Sequence, residues 1–161
     1  MAFVQGMIPH DKQGVEIAAM ALDGAFGASS KVRVMAGRIK IAQASDVSVM
    51  EKWLKAWDAP TAPAPSMDGM DGMDGMDGMG GMDMGSGQGT LSSGEIATLG
   101  RAKGVEFDKI WIETMTRHHL GTRDLVDVVL ANGRSVGVKS KAAAILKSEQ
   151  VELDALKVLK P

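Results

Sequence analysis

One amphipathic helix occurs twice in this chain, and the repeat constrains the fold more than any other feature. The segment that begins at residue 3 aligns without gaps with the segment that begins at residue 111, through residues 22 and 130. The shared landmarks are an aromatic residue, a methionine and a histidine: Phe3, Met7 and His10 in one copy, Trp111, Met115 and His118 in the other. Both copies follow the alternating four-and-three spacing of a helix seam that faces an interior. The repeat therefore predicts two equivalent structural units.

A second helix follows each copy, and these partner helices also match. Residues 31–57 and 136–159 align so that Gln43, Asp46 and Met50 correspond to Glu149, Glu152 and Leu156. Each half is thus predicted to be a helical hairpin. Two hairpins that bury their apolar stripes against each other form a four-helix bundle. Because no segment has convincing strand alternation, the predicted fold class is all-α.

A Pro/Gly/Met-rich stretch separates the two hairpins. The predicted organisation is a first hairpin at residues 1–58, a flexible linker at 59–91, and a short helix plus the second hairpin at 92–161. Ser92 or Ser93 is expected to cap the short helix. About 130 residues remain outside the linker, which is enough for one core, so both hairpins are assigned to one bundle domain.

The linker contains the tract MDGMDGMDGMDGMGGMDM, which holds seven of the thirteen methionines. Glycine and aspartate separate the methionines, so the tract has no apolar residues with which to bury them. Thioether sulfur is a soft, neutral ligand that suits Cu(I) and, by the same chemistry, Ag(I). A low-complexity linker without a metal role is the alternative interpretation. The favoured hypothesis is capture of a soft monovalent metal by Met67, Met70, Met73, Met76, Met79, Met82 and Met84.

A second candidate site lies inside the predicted bundle. The shared seam position directs His10 and His118 inward, each one turn from a methionine, Met7 or Met115. Because the two seam helices are equivalent members of repeated hairpins, they are expected to run parallel on a diagonal, with both Met/His pairs at a similar depth. Met50 is expected to approach Met7 as a third thioether donor. Such a set of methionines and histidines suits Cu(I).

Carboxylates offer the two seam histidines a different role. Folding each hairpin about its turn places Asp46 opposite the first histidine and Glu149 opposite the second, with Glu152 one turn away. The histidines are then either hydrogen-bonded core groups or metal ligands whose other N–H is held by a carboxylate. His119 falls off the seam and is expected at the surface or at a helix boundary, where it remains a further candidate ligand.

Composition and motifs argue against several other functions. The net charge of −2 gives no basic footprint for nucleic acid, and no apolar run is long enough to span a bilayer. A di-iron oxidase site needs Glu three residues before His, a spacing that the chain lacks. Nucleophile and phosphate-loop motifs are also missing, and the Asp-Gly repeat lacks the EF-hand pattern for calcium. We expect no enzymatic activity. The alternatives are a structural or interaction bundle and, less favoured, an iron or manganese protein.

Cysteine is absent from the chain. A metal-binding set of methionine and histidine avoids the disulfides that thiols form in an oxidising compartment. No signal peptide is visible, and the helical pattern starts at once. We therefore expect a periplasmic or secreted protein whose export signal has been removed.

Four segments resemble the domain of unknown function 305 family. MIPHDKQGVEIAAMAL and MTRHHLGTRDLVDVVL resemble its doubled signature M-I-x-H-H-x-x-A-x-x-M-A, and IAQASDVSVMEKWL and FDKIWIETM resemble two further elements. Asp11 stands where the family usually has a second histidine, and Glu149 where it usually has glutamine. The resemblance implies a ferritin-like, exported protein of the copper-tolerance type. The combined prediction is sequestration or carriage of Cu(I), with Ag(I) as a second cargo and other copper-handling proteins as partners, and with the oligomeric state left open.

Overall fold

The computed structural model describes residues 1–61 and 89–159, and its regular structure over these ranges is entirely helical. The long helices are α1 (Ala2–Leu22), α2 (Ser30–Ala56), α4 (Gly104–Asn132) and α5 (Val136–Leu159), with a short α3 at Ser93–Arg101 and a 3-10 turn at Gly24–Phe26. The all-α prediction is confirmed, and α2 and α5 begin and end within one residue of the predicted ranges 31–57 and 136–159. The methionine tract, Met67 to Met84, lies outside the described residues.

Local chemistry explains where the helices begin. Ser29 precedes α2, and its hydroxyl oxygen accepts the backbone N–H of Val32 at 3.4 Å. Ser92 and Glu95 form a reciprocal capping box at the start of α3, which satisfies two backbone donors that a helix terminus otherwise leaves free. Gly104 starts α4 with a φ of 58°, a left-handed conformation that glycine adopts without steric cost.

The two hairpins pack so that every neighbouring pair of long helices is antiparallel. Besides the contacts within each hairpin, α1 packs directly on α4 and α2 on α5. The indole N–H of Trp111 donates to the carbonyl of Ile17 at 2.9 Å, and His118 Nε2 lies 3.1 Å from the carbonyl of His10. Later residues of α4 therefore meet earlier residues of α1. The prediction that these helices are parallel and diagonal is wrong, because the hairpins are related by an approximate two-fold axis that crosses the bundle.

The interior is divided into two apolar clusters, one toward each end of the bundle. The "tryptophan cluster" includes Ile17, Ala21, Met35, Ile39, Leu99, Phe107, Trp111, Met115 and Leu156. The "valine cluster" includes Phe3, Val4, Met7, Val47, Met50, Leu54, Val126, Val129 and Ile145. All four long helices contribute to both clusters, so the middle of each helix passes between them. None of the described helices is long and apolar enough to cross a membrane.

Candidate metal centre

A layer of polar side chains lies between the two apolar clusters. Each long helix contributes to it at mid-length, where the approximate two-fold axis crosses. This "polar layer" consists of His10, Asp11, Gln43, Asp46, His118, His119, Thr122, Glu149 and Glu152. Buried polar groups cost free energy unless they find partners, so their concentration at one level of a small core is the feature that most suggests a site.

The two seam histidines meet at the centre of the polar layer. The ring centroids of His10 and His118 are 3.9 Å apart, and the ring planes are tilted by 36°. Both side chains are almost completely buried. The seam spacing correctly directs them inward, and the antiparallel packing of α1 on α4 brings these equivalent residues side by side.

Burial keeps His118 in its neutral form. Desolvation is the main cause that holds the pKa of His118 well below its usual value of 6.5, and the neighbouring charge of His10 acts in the same direction. An imidazole must be neutral to offer a nitrogen lone pair to a metal or a hydrogen-bond donor. At neutral pH this ring is therefore ready to act as a ligand without losing a proton.

The methionines flank the histidine pair on opposite sides. Met7 and Met50 are fully buried in the valine cluster, whereas Met115 is fully buried in the tryptophan cluster. The expectation that Met7 and Met115 lie at a similar depth is therefore wrong. Since α1 and α4 are antiparallel, the step from methionine to histidine runs in opposite directions along the two helices, and only the histidines coincide.

Glu149 is held by Thr122 in the polar layer. The Thr122 hydroxyl donates to Glu149 Oε1 at 3.1 Å, within α4 and α5 of the second hairpin. Burial is the main cause that raises the pKa of Glu149 to about 9, and the carboxylate of Asp11 adds to the effect. Glu149 is therefore protonated at neutral pH. Its hydrogen bond comes from Thr122, whereas hairpin folding predicts His118 as its partner.

His119 is completely buried, so its predicted position at the surface or a helix boundary is wrong. Its Nε2 lies 2.7 Å from Glu152 Oε2. Consecutive helix residues point about 100° apart, which turns His119 away from α1 and toward α5. The seam pattern describes only the α1 interface of α4, and it therefore misses a second buried side that faces α5. Glu152, predicted one turn from His118, serves His119 instead.

In the first hairpin, the corresponding contact is different. The Asp46 carboxylate accepts a hydrogen bond from the Lys141 ammonium of α5, a partner that hairpin folding does not predict. The carboxylate of the neighbouring Asp11 also lies close to His10, with Nδ1 and Oδ1 3.7 Å apart. This separation is too long for a hydrogen bond. Burial raises the pKa of the Asp11 carboxyl above its usual value.

The repeat explains this asymmetry between the hairpins. Asp11 and Asp46 are equivalent to His119 and Glu152. A His–carboxylate pair in one half is thus replaced by two carboxylates in the other, and the Lys141 ammonium pairs with one of them, Asp46. Sequence reasoning overlooked Lys141 and Asp11 as members of the site. Asp11 could have been found from the sequence, because an aspartate stands there where the resembled family usually has a histidine. That signal does not extend to Lys141.

Several atoms of the polar layer remain uncommitted within residues 1–61 and 89–159. They make no hydrogen bond there, and they are the two Asp11 carboxylate oxygens, both amide atoms of Gln43, Nδ1 of His118 and His119, and Glu149 Oε2. In the same ranges, no three His, Asp or Glu side chains converge as a metal-binding group. A cation held at the bundle centre would therefore depend on the histidine pair together with donors of another kind, such as thioether sulfur.

The chain shares its family and its fold with known proteins. The family described as "Domain of unknown function (DUF305)" matches residues 1–160. A DUF305 protein of Streptomyces coelicolor, described as a candidate secreted protein, has a similar structure with a TM-score of 0.77 at 23% identity, covering 96% of this chain and 85% of the other. A DUF305 fragment from Deinococcus radiodurans has a TM-score of 0.79 at 23% identity, covering 98% and 93%.

CopM, solved in a Cu(II)-bound form, is a further structural relative. Its TM-score is 0.71 at 22% identity, covering 96% of this chain and 90% of CopM. CopM has also been solved with Cu(I) and with silver. Among the curated proteins, none matches this chain. At these identities the structural likeness establishes the all-helical fold, which the chain shares with all three relatives.

Proposed function

The chain belongs to the DUF305 family, and on that premise we propose that it is an extracytoplasmic protein that sequesters or carries Cu(I). Ag(I) would be a second cargo, and methionine and histidine side chains would bind both cations. Its role would be binding rather than catalysis, and it would contribute to metal tolerance. The cargo is a soft cation, for which neutral nitrogen and thioether sulfur are suitable ligands. Other copper-handling proteins would be its exchange partners.

One observation carries this proposal: two buried imidazoles in contact, flanked by buried methionines. The ring centroids of His10 and His118 are 3.9 Å apart, and each histidine is one helical turn from a fully buried methionine, Met7 or Met115. A purely structural core would not need two histidines whose rings face each other. The low pKa of His118 favours the neutral ring that a metal requires.

Two comparisons support the nature of the cargo and the compartment. CopM, which shares the fold, has been solved with Cu(I), Cu(II) and silver bound. The relative from Streptomyces coelicolor is described as a candidate secreted protein. The lack of cysteine suits an oxidising compartment, and the seven methionines of residues 67–84 would add a second, linker-borne group of thioether donors.

A structural role for the polar layer is the competing interpretation. The Thr122–Glu149 hydrogen bond at 3.1 Å and the His119–Glu152 contact at 2.7 Å are the kinds of contact that satisfy buried polar groups. Neither of these two contacts joins a carboxylate to the ring of His10 or His118. The two roles are compatible, because the carboxylates would then stiffen the framework around the histidines.

Competition titration with a Cu(I) chelator tests the proposal on the full chain. A bundle variant replaces Met7, Met50 and Met115 by leucine, a volume-conserving change that removes the thioethers. The control variant replaces Met20 and Met35, which belong to or border the tryptophan cluster away from the histidines. We expect the bundle variant to bind Cu(I) more weakly and the control to match the wild type. Equal Cu(I) binding by all three proteins would contradict an internal site, and an absence of Cu(I) binding by the wild type would contradict the function as a whole.

A further inference from the structure

Gly14 leaves a space beside α1 that is bordered by the side chains of both Gln43 and His118. A Cβ atom on Gly14 would lie only 1.9 Å from Gln43 Oε1 and 2.8 Å from His118 Cε1. The carboxamide of α2 thus occupies the space that a side chain of α1 would otherwise fill. Cε1 is the ring carbon between the two nitrogens, so the amide and the nitrogen-bearing edge of the imidazole border the same small space at Gly14.

The hydrogen bond of His118 assigns its tautomer. Nε2 lies 3.1 Å from the backbone carbonyl of His10, and a carbonyl oxygen can only accept. Nε2 must therefore carry the hydrogen. A neutral imidazole has one N–H, which leaves the lone pair on Nδ1. Across the described part of the chain, this Nδ1 and the Gln43 amide make no hydrogen bond.

The equivalent positions of the second hairpin are already committed. Thr122 and Glu149 correspond to Gly14 and Gln43, and the threonine hydroxyl donates to the carboxyl group at 3.1 Å. A glycine cannot hold Gln43 in this way. In the first hairpin, the uncharged amide of Gln43 makes no hydrogen bond within the described part of the chain. In the second hairpin, the carboxyl group of Glu149 accepts a hydrogen bond from Thr122.

We propose, as an inference that rests on the proposed function, that His118 binds the soft cation through Nδ1. Gln43 would be the positioning residue that holds the ring with this nitrogen available to the cation. The amide prevents the ring from turning toward Gly14, so that Nε2–H stays on the His10 carbonyl. Ligating histidines usually donate their other N–H to a carbonyl or carboxylate, which fixes the ring orientation and raises its basicity. The backbone of His10 fills that role here.

Nitrogen NMR of the full chain tests which atom of His118 binds. The protein is labelled with ¹⁵N in its histidines and titrated with Ag(I), a diamagnetic cation. The metal-free protein should show a protonated Nε2, and Ag(I) should shift Nδ1 while the Nε2–H persists. A response of Nε2 with loss of its proton would overturn the inference and leave the proposed function standing. No response of either histidine ring of the central pair would overturn the inference and remove the internal site as well.

Variants test the positioning role of Gln43. Gln43→Ala removes the side chain that keeps the His118 ring from turning toward Gly14, and it should weaken Ag(I) binding by about 10- to 100-fold, the usual effect of losing a group that orients a ligand. Gln5→Ala is the matched control, because Gln5 is also a buried glutamine but donates to the carbonyl of Pro60. The control should bind as the wild type does. If Gln43→Ala lowers the thermal midpoint yet leaves the Ag(I) affinity and the His118 resonances unchanged, the residue is structural only and the positioning role is wrong.

Discussion

His119 contacts Glu152 inside the second hairpin, with Nε2 and Oε2 2.7 Å apart, and the first hairpin has no equivalent pair. The corresponding residues are two carboxylates, Asp11 and Asp46, and Lys141 neutralises the latter. Two hairpins with one repeated pattern therefore fill the same level of the core with different polar side chains. This asymmetry gives the bundle a distinct electrostatic character on each side of the central histidines.

Removing His119 should destabilise the fold. His119→Ala leaves the partly buried Glu152 without its hydrogen-bond donor, which should cost about 1–3 kcal/mol in the free energy of unfolding. Chemical denaturation measures the loss. Lys12→Ala breaks an exposed ion pair with Glu51 and should cost less than about 1 kcal/mol. Equal effects of the two substitutions would mean that the His119 contact contributes nothing special.

Restoring a histidine at position 11 should stabilise the first hairpin. Asp11→His removes a buried carboxylate that is repelled by the charge of Asp46. It also recreates the type of pair seen between His119 and Glu152. A gain of about 1–3 kcal/mol in the free energy of unfolding is expected, the worth of a hydrogen bond to a charged group. Glu113→His, on an exposed position of α4, should change little. A destabilised Asp11→His protein would show that the aspartate has a favourable partner in the native layer.

Glu149 should make the fold less stable as the pH rises. Its pKa is about 9 in the folded chain against a usual value of 4.5. The folded state therefore binds the proton more tightly, and the stabilisation that is fully present below about pH 4.5 is lost as the pH rises toward 9. Glu149→Gln abolishes this titration. At about pH 8 the variant should exceed the wild type by at least about 1.4 kcal/mol, the equivalent of one pKa unit.

Denaturation of both proteins at about pH 5 and about pH 8 checks this effect, because the difference isolates Glu149 from other titrating groups. The stability gap should widen with pH. A gap that stays constant would mean that Glu149 titrates normally in the folded state.

Filling the space at Gly14 should destabilise the bundle despite the better helix propensity of alanine. The added Cβ would meet Gln43 Oε1 at 1.9 Å, and overpacking of this kind costs about 1–3 kcal/mol. Gly37→Ala is the matched control in α2, because a Cβ there has no neighbour within 4 Å. That change should stabilise by roughly 0.5–1 kcal/mol. A thermal melt that ranks Gly14→Ala at or above the control would contradict the packing described here.

Metal binding at the two candidate groups should differ in its response to acid. Thioethers carry no proton at any ordinary pH, so binding by residues 67–84 should persist at about pH 5. Binding through His118 should weaken only in stronger acid than an ordinary histidine requires, because burial lowers the pKa of His118. Replacing the seven linker methionines by leucine and titrating Cu(I) at neutral pH and at about pH 5 separates the groups. Both groups should prefer Cu(I) and Ag(I) to Zn(II) and Ca(II), and loss of linker binding in mild acid would implicate the aspartates instead.

The sequence alone determined which residues form helices and which face of α1 and α4 carries the buried seam, but it missed the second buried side of α4, where His119 lies. Apolar spacing, Ser92 as a cap and the repeat of the Met-x-x-His segment were sufficient, because helix period and capping are local properties. The inward direction of His10 and His118 followed from the same period. These local signals also account for the correct fold class.

Only the tertiary structure decided how the two hairpins face each other. A repeated hairpin can pair with its copy through a two-fold axis along the bundle or across it, and the apolar pattern satisfies both arrangements equally. The axis across the bundle makes α1 and α4 antiparallel, which joins His10 to His118 and sends Met7 and Met115 to opposite apolar clusters. It also buries His119 against α5 and brings Lys141 to Asp46. Those contacts join residues far apart in sequence, so their partners depend on helix packing and not on spacing along the chain.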